Sequence, residues 1–178
     1  TSYDPQAKDI TLEDTGANTE TDKEFIYNTY TALLKNVEAK PGVERPAPPF
    51  TTSTMTQEAS RKLGFSTQRT MQAAQRLFQE GHISYHRTDS TTLGEEALAE
   101  SAQAIRNLFG DDYYAGPRRY ATKVKNAQEA HEAIRPTDFG SAPASLGRAL
   151  SGDDLRLYEL IWKRTMASQM VDARVLRT

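Results

Sequence analysis

The chain has 178 residues, 37% of them hydrophobic, no cysteine and a formal net charge of -2. That apolar content is enough to bury a core and excludes a globally disordered chain. The lack of cysteine excludes disulfide scaffolds and thiolate metal sites. No apolar run is long enough to span a membrane and no signal peptide opens the chain, so a cytoplasmic protein with no membrane partner is expected.

Residues 1–20 are polar, rich in Asp, Thr, Gly and Asn, with one candidate strand over 9–13. Thr21 and Glu24 have capping-box spacing and open a helix striped by Ile26, Tyr30, Leu33 and Val37. Pro41 and Gly42 close it. Pro41, Pro46, Pro48 and Pro49 favour a stiff, extended connector and mark the best domain boundary. Thr54 and Gln57 then have capping-box spacing for a short helix over 55–63. The hydroxyls of Thr51, Thr52 and Ser53 either cap that helix or donate to phosphates. Ser66 caps a second helix running to about residue 80, with Met71, Ala74, Leu77 and Phe78 inward. Helix, glycine-containing turn, helix and strand is the succession of a helix-turn-helix with a wing. An ordinary helical hairpin is the plainer alternative.

Gly81 ends that helix, and residues 82–87 read as a short strand with Ile83 and Tyr85 on one face. Arg87, two residues on, points the same way as Tyr85. Arginine suits bidentate contact with phosphate, and tyrosine is a nucleophile that forms covalent intermediates. Side by side they suggest a tyrosine attacking a phosphodiester while an arginine steadies the phosphoryl charge. The alternative is a structural tyrosine and a solvated arginine, which are far commoner, and these residues alone favour it. The charge distribution is uneven: residues 1–40 hold four basic and eight acidic side chains, whereas residues 55–90 hold five basic and three acidic. Positive charge thus gathers near Tyr85, as a phosphate-binding surface requires.

Thr92 and Glu95 have capping-box spacing for a helix to Phe109, with Leu98, Ala102, Ile105 and Phe109 on its inward face, stopped by Gly110. Residues 111–124 are irregular and interleave Tyr113, Tyr114 and Tyr120 with Arg118, Arg119 and Lys123. Such a mixture either stacks bases and holds phosphates or pins a loop to the core. His131 and Arg135 share a face if their segment is helical, and two cations on one face suit a phosphate. Residues 141–150 form a small-residue linker. A last helix starts near Ser151, dense in apolar residues at Leu157, Tyr158, Leu160, Ile161 and Trp162, and residues 173–178 are strand-like. Asp111-Asp112 and Asp153-Asp154 are adjacent pairs and not metal constellations. There is no glycine-rich phosphate loop and no nucleophile elbow.

Ile83-Ser84-Tyr85-His86-Arg87-Thr88-Asp89-Ser90 resembles the active-site tyrosine motif of bacterial type IA DNA topoisomerases, usually I-T-Y-M-R-T-D-S. Pro49 to Thr54, Ala130 to Pro136 and Leu157 to Trp162 also resemble that family, in the family's order. The resemblance runs from about Pro46 to the end. It implies a mainly α fold with a small amount of β: a helical gate domain with a helix-turn-helix or winged-helix-like element, flanked by part of a β-rich hinge domain. Residues 1–45 then belong to the hinge, 46–170 to the active-site tyrosine domain, and 171–178 to a strand returning to the hinge.

The implied activity is ATP-independent. Tyrosine cleaves single-stranded DNA, stays linked to the 5′-phosphate while another strand passes, and the break is resealed, relaxing negative supercoils. By motif position Tyr85 is the nucleophile and Arg87 binds the phosphate and orients it. His131 matches a histidine that contacts DNA or assists proton movement. Arg135, Thr51, Thr52 and Ser53 match motif positions and are candidate DNA contacts. The implied cofactor is Mg2+, held by a Toprim domain not found in this sequence, and no metal ligand is expected here. Without that domain the chain alone is expected to be inactive. Partners are single-stranded and negatively supercoiled DNA and the missing domains, with a monomeric, nucleoid-associated chain. Two positions depart from the motif: Ser84 stands for Thr and His86 for Met. The rival from another class is a winged-helix module that reads duplex sequence with the helix after Ser66 and needs no reactive tyrosine.

Overall fold

The computed structural model describes residues 40–120, 132–147, 149–150 and 152–177. The expected strand over 9–13, the helix opened by Thr21, and His131 lie outside the described residues. The chain divides into two units, Thr1–Gly42 with Arg174–Thr178, and Val43–Ala173. Strand β1 (Lys40–Glu44) pairs with β2 (Ala173–Arg177) in a two-stranded sheet. Pro41 near the start of β1 is tolerable there, because the end of an edge strand is where a missing N–H costs least.

The larger unit is helical: α1 (Thr52–Leu63), α2 (Thr67–Gln79), α3 (Glu95–Phe109) and α4 (Gly152–Gln169). The protein is therefore mainly α with little β, as expected. Helix α1 starts three residues earlier than its sequence pattern suggested. Its N-cap is Thr51, whose hydroxyl accepts from the Thr54 amide at 3.2 Å, and the Thr54 hydroxyl accepts from the Thr51 amide at 2.9 Å. Two hydroxyls thus satisfy two amides that the helix leaves open. Gly64 ends the helix with φ of 69°, a left-handed conformation that favours glycine. Ser66 caps α2 as expected, accepting from the Arg69 amide at 3.2 Å.

Helix α3 departs from expectation. Its N-cap is Gly94, and no side chain of the first turn caps it. The Gly94 amide instead donates to Glu132 Oε1 at 2.5 Å, from a segment far along the chain. A side chain at position 94 would run into that carboxylate.

Helix α4 packs against α1, α2 and α3 and supplies the centre of the core with Leu157, Tyr158, Ile161 and Met166. Against them lie Phe50, Met55, Phe65, Leu77, Ile105 and Phe139, all essentially inaccessible. Buried aromatics find partners for their polar ends. Trp162 Nε1 donates to the Phe139 carbonyl at 3.0 Å and Tyr158 Oη to the Ser141 carbonyl at 2.7 Å. Burial pushes the Tyr158 phenol well above its ordinary range. These two bonds fasten the segment before α4, which is a 3-10 turn (Pro143–Leu146) and not a featureless linker. Phe78 and Phe109, expected inward, sit at the margin and are 37% and 41% exposed.

Candidate active site at the Tyr85 loop

Residues 82–87 do not form the expected strand. The segment makes a single bridge, Ile83 with Pro136, and otherwise runs as an irregular loop after Gly81, whose φ of 78° turns the chain out of α2. What holds it is a set of bonds to two other segments. The Ser84 amide donates to the Arg135 carbonyl at 2.8 Å, and the Thr137 amide to the His82 carbonyl at 3.1 Å. Ser84 Oγ donates to the Ala133 carbonyl at 2.9 Å and accepts from the Arg135 amide at 3.0 Å. The hydroxyl at position 84 is thus a brace between the loop and residues 133–135. Serine supplies the same hydroxyl as the threonine of the motif, so this brace is available to either residue.

The third segment enters through Phe50 and Thr52. The Ile134 amide donates to the Phe50 carbonyl at 2.8 Å, and the Thr52 amide to the Thr88 carbonyl at 2.9 Å. Thr52 Oγ1 donates to the His86 carbonyl at 2.9 Å and accepts from the Thr88 amide, also at 2.9 Å. One hydroxyl in the first turn of α1 therefore spans the backbone on both sides of Arg87. Three stretches separated by dozens of residues, 50–54, 82–88 and 132–137, meet here through main-chain and hydroxyl bonds.

Within the loop, exposure alternates although the strand is absent. Tyr85 is 47% exposed and Arg87 is exposed, whereas His86 and Thr88 are buried. The phenol rests edge-on against Phe78 at 5.3 Å between ring centres, and against His86 at 5.6 Å. Arg87 has no hydrogen bond or ion pair among the described residues. That is uncommon among the described residues. Arg69 and Arg76 on α2 pair with Asp153 and Asp154, Arg118 with Asp172, and Arg119 with Glu95. A tyrosine presented to solvent two residues from a free guanidinium suits capture of a phosphate and attack on it.

The remaining candidates are placed as follows. Thr51 is spent as the N-cap of α1. Thr52 braces the loop. Ser53 is exposed, and its hydroxyl accepts from Gln57 Nε2 at 3.0 Å. Arg135 is not helical; its Nε donates to Glu132 Oε2 at 2.8 Å and it lies 5.9 Å from the Phe139 ring centre. Tyr120 pins its loop, with its hydroxyl 3.0 Å from the carbonyls of Pro46 and Ser168. Sequence reasoning missed Glu132, which ties Arg135 to the start of α3. No local signal points to it, because Thr92 and Glu95 already have capping-box spacing.

His86 stands out. Neither ring nitrogen has a hydrogen-bond partner, and both are buried. Burial, and then the neighbouring Arg87 charge, hold the imidazole below its ordinary value, so it is neutral at physiological pH.

A family model described as DNA topoisomerase matches residues 5–178, nearly the whole chain. The chain belongs to the bacterial type IA DNA topoisomerases. It is 58% identical over 146 residues to DNA topoisomerase 1 of Mycobacterium tuberculosis (strain ATCC 25177 / H37Ra), covering 79% of this chain and 16% of that protein. The topoisomerase 1 of Zymomonas mobilis is 53% identical over 146 residues, covering 82% of this chain and 12% of that protein. Among solved structures, full-length topoisomerase I from Thermotoga maritima superposes with a TM-score of 0.64 at 35% identity. That match covers 84% of this chain and 27% of the Thermotoga chain. The chain therefore spans about a sixth or less of the length of these curated topoisomerases.

Against that family background, the winged-helix alternative loses its footing. The cations of α2 are neutralised by Asp153 and Asp154, and no wing strand follows the helix. Among the described residues no three acidic or histidine side chains are grouped to hold a metal, so they do not fit the Mg2+ that the family implies. Among the same residues, no helix is long and apolar enough to cross a membrane.

Proposed function

We propose that Tyr85 is the nucleophile of a topoisomerase that cuts and reseals single-stranded DNA. The observation that carries the reading is the half-exposed Tyr85 beside an unpaired Arg87, on a loop braced by the other two motif segments. The phenol oxygen attacks a backbone phosphorus. A new O–P bond forms, the bond from phosphorus to the 3′-oxygen breaks, and the strand end leaves as a 3′-hydroxyl that takes up a proton. The phenol proton passes to an acceptor. The 5′-phosphate stays on Tyr85, and the reverse attack by the 3′-hydroxyl restores both groups. No bond energy is lost to hydrolysis, so ATP is not needed.

Arg87 donates to the non-bridging phosphoryl oxygens, where charge builds as the phosphorus is attacked. Thr52 and Ser84 are positioning residues: Thr52 holds the backbone on both sides of Arg87, and Ser84 ties the loop to the backbone of Ala133 and Arg135. In this reading the chain is the tyrosine-bearing part of a longer enzyme, with a hinge segment before about residue 46 and after about residue 170. Acidic residues outside it bind Mg2+, and the isolated chain does not cleave. Its surroundings are the bacterial cytoplasm and negatively supercoiled DNA. The test is to trap a covalent DNA adduct with the longer enzyme and map it. An adduct on Tyr85, absent in Tyr85→Phe, supports the reading; an adduct that persists in Tyr85→Phe refutes it.

A further inference from the structure

A groove lined by cations lies away from Tyr85. Between α1 and α4 is a groove of about 650 Å³. Five cations line it, Arg61, Lys62, Arg156, Lys163 and Arg164, against only two carboxylates. In a chain whose formal net charge is -2, this is a local excess of positive charge. The pairing pattern shows why the excess is not cancelled. Arg61, Lys62 at 2.8 Å and Arg164 at 3.3 Å all converge on one carboxylate, Glu58. The hydrogen bond from Lys62 comes first in holding the Glu58 carboxyl below its usual range, so it stays ionised, yet it offers one negative charge to three positive ones. Lys163 has Glu159 at 2.5 Å, and among the described residues Arg156 has no carboxylate within ion-pair distance, donating instead to the Leu63 carbonyl at 3.3 Å.

The arrangement also has a floor and a rim. Arg164 is mostly covered and stacks 4.6 Å from the Phe50 ring centre, so it is held in place. Arg61, Lys62 and Lys163 are open to solvent and free to turn toward a ligand. With a rise of 1.5 Å per residue, Lys62 lies about 15 Å along α1 from Thr52, which braces the Tyr85 loop. One phosphate cannot meet both places.

We infer that the α1–α4 groove binds the phosphodiester backbone of single-stranded nucleic acid, separately from the phosphate at Tyr85 and Arg87. This rests on the nucleic-acid reading above but not on the chemistry of Tyr85. Exposed cations with a shared, outnumbered carboxylate give up little pairing when they turn to phosphates, because exposed ion pairs contribute little.

The test is the salt dependence of binding by the 178-residue chain to labelled oligothymidylate. Each phosphate contact on a single strand contributes about 0.7 to the slope of log K against log salt. The double variant Arg61→Gln/Lys163→Gln should lower the slope by about 1.4, two contacts' worth. Arg61→Lys/Lys163→Arg, which keeps the charges, should restore it. Arg45→Gln/Arg106→Gln removes two exposed cations outside the groove and should leave the slope near that of the parent. An unchanged slope in the groove variant, an equal drop in the control, or no binding by the parent chain overturns the inference. The adduct experiment is independent: a groove that fails this test leaves an adduct on Tyr85 in the longer enzyme, whereas failure of the catalytic reading removes the adduct.

Discussion

His86→Met should stabilise the protein, and more so in acid. In the folded chain the imidazole is buried with both nitrogens unpaired, and its affinity for a proton is lowered. In the unfolded chain it titrates near its ordinary value of 6.5. Below that pH the unfolded state binds a proton that the folded state refuses, so stability is lost as pH falls and is fully present above it. One pH unit below the ordinary value, the loss is at most about 1.4 kcal/mol; one unit above, it is close to nothing. Methionine has no proton to bind and is flexible enough to fill an irregular space. It also removes a buried unpaired N–H, which by itself costs about 1–3 kcal/mol. The assay is urea unfolding of parent and variant, one unit below and one unit above pH 6.5. The gain on substitution should be greater at the lower pH, by no more than about 1.4 kcal/mol, or roughly 3–6 °C in melting temperature for a chain of this size. An equal effect at both pH values would show that His86 is charged or partnered in the folded state and would refute the reasoning.

Thr52→Val should cost about 1–3 kcal/mol, because it leaves the Thr88 amide without its acceptor. It should slow cleavage in the longer enzyme as the Tyr85 loop loosens, and urea unfolding together with an oligonucleotide cleavage assay checks both effects. Arg87→Lys should impair cleavage with little change in unfolding, since the side chain has no internal partner to lose and lysine cannot form the two-pronged contact. Parent-like cleavage by Arg87→Lys would mark Arg87 as a surface charge.

How much of this was legible in the sequence depends on whether the signal is local. Helices α2, α3 and α4 follow from apolar spacing, and Gly64, Ser66 and Gly110 mark the end of α1, the start of α2 and the end of α3 where expected. The start of α1 was misplaced because Thr51 and Thr54 both offer a hydroxyl, and only the bond between them shows which is the cap. The strand over 82–87 was wrong because alternation of exposed and buried residues does not need a ladder. Here single bonds to Thr52, Ala133 and Arg135 produce the same alternation. Tyr85 and Arg87 were legible as a pair, yet Thr52, Ser84 and Glu132 act across gaps of 34 to 51 residues, which no local pattern encodes. The helical reading of His131 and Arg135 failed at Arg135 for the same reason: the segment is drawn out to meet Phe50 and Ile83.

The most direct measurement of the central claim is the chemical identity of the DNA link. The longer enzyme is incubated with single-stranded oligonucleotide labelled on the 5′ or the 3′ side of the cut, denatured, digested and read by mass spectrometry. The account predicts a nucleotide joined through its 5′-phosphate to the peptide carrying Tyr85, with a free 3′-hydroxyl on the released strand and no such peptide from Tyr85→Phe. A nucleotide joined through a 3′-phosphate, or carried on another residue, would contradict it.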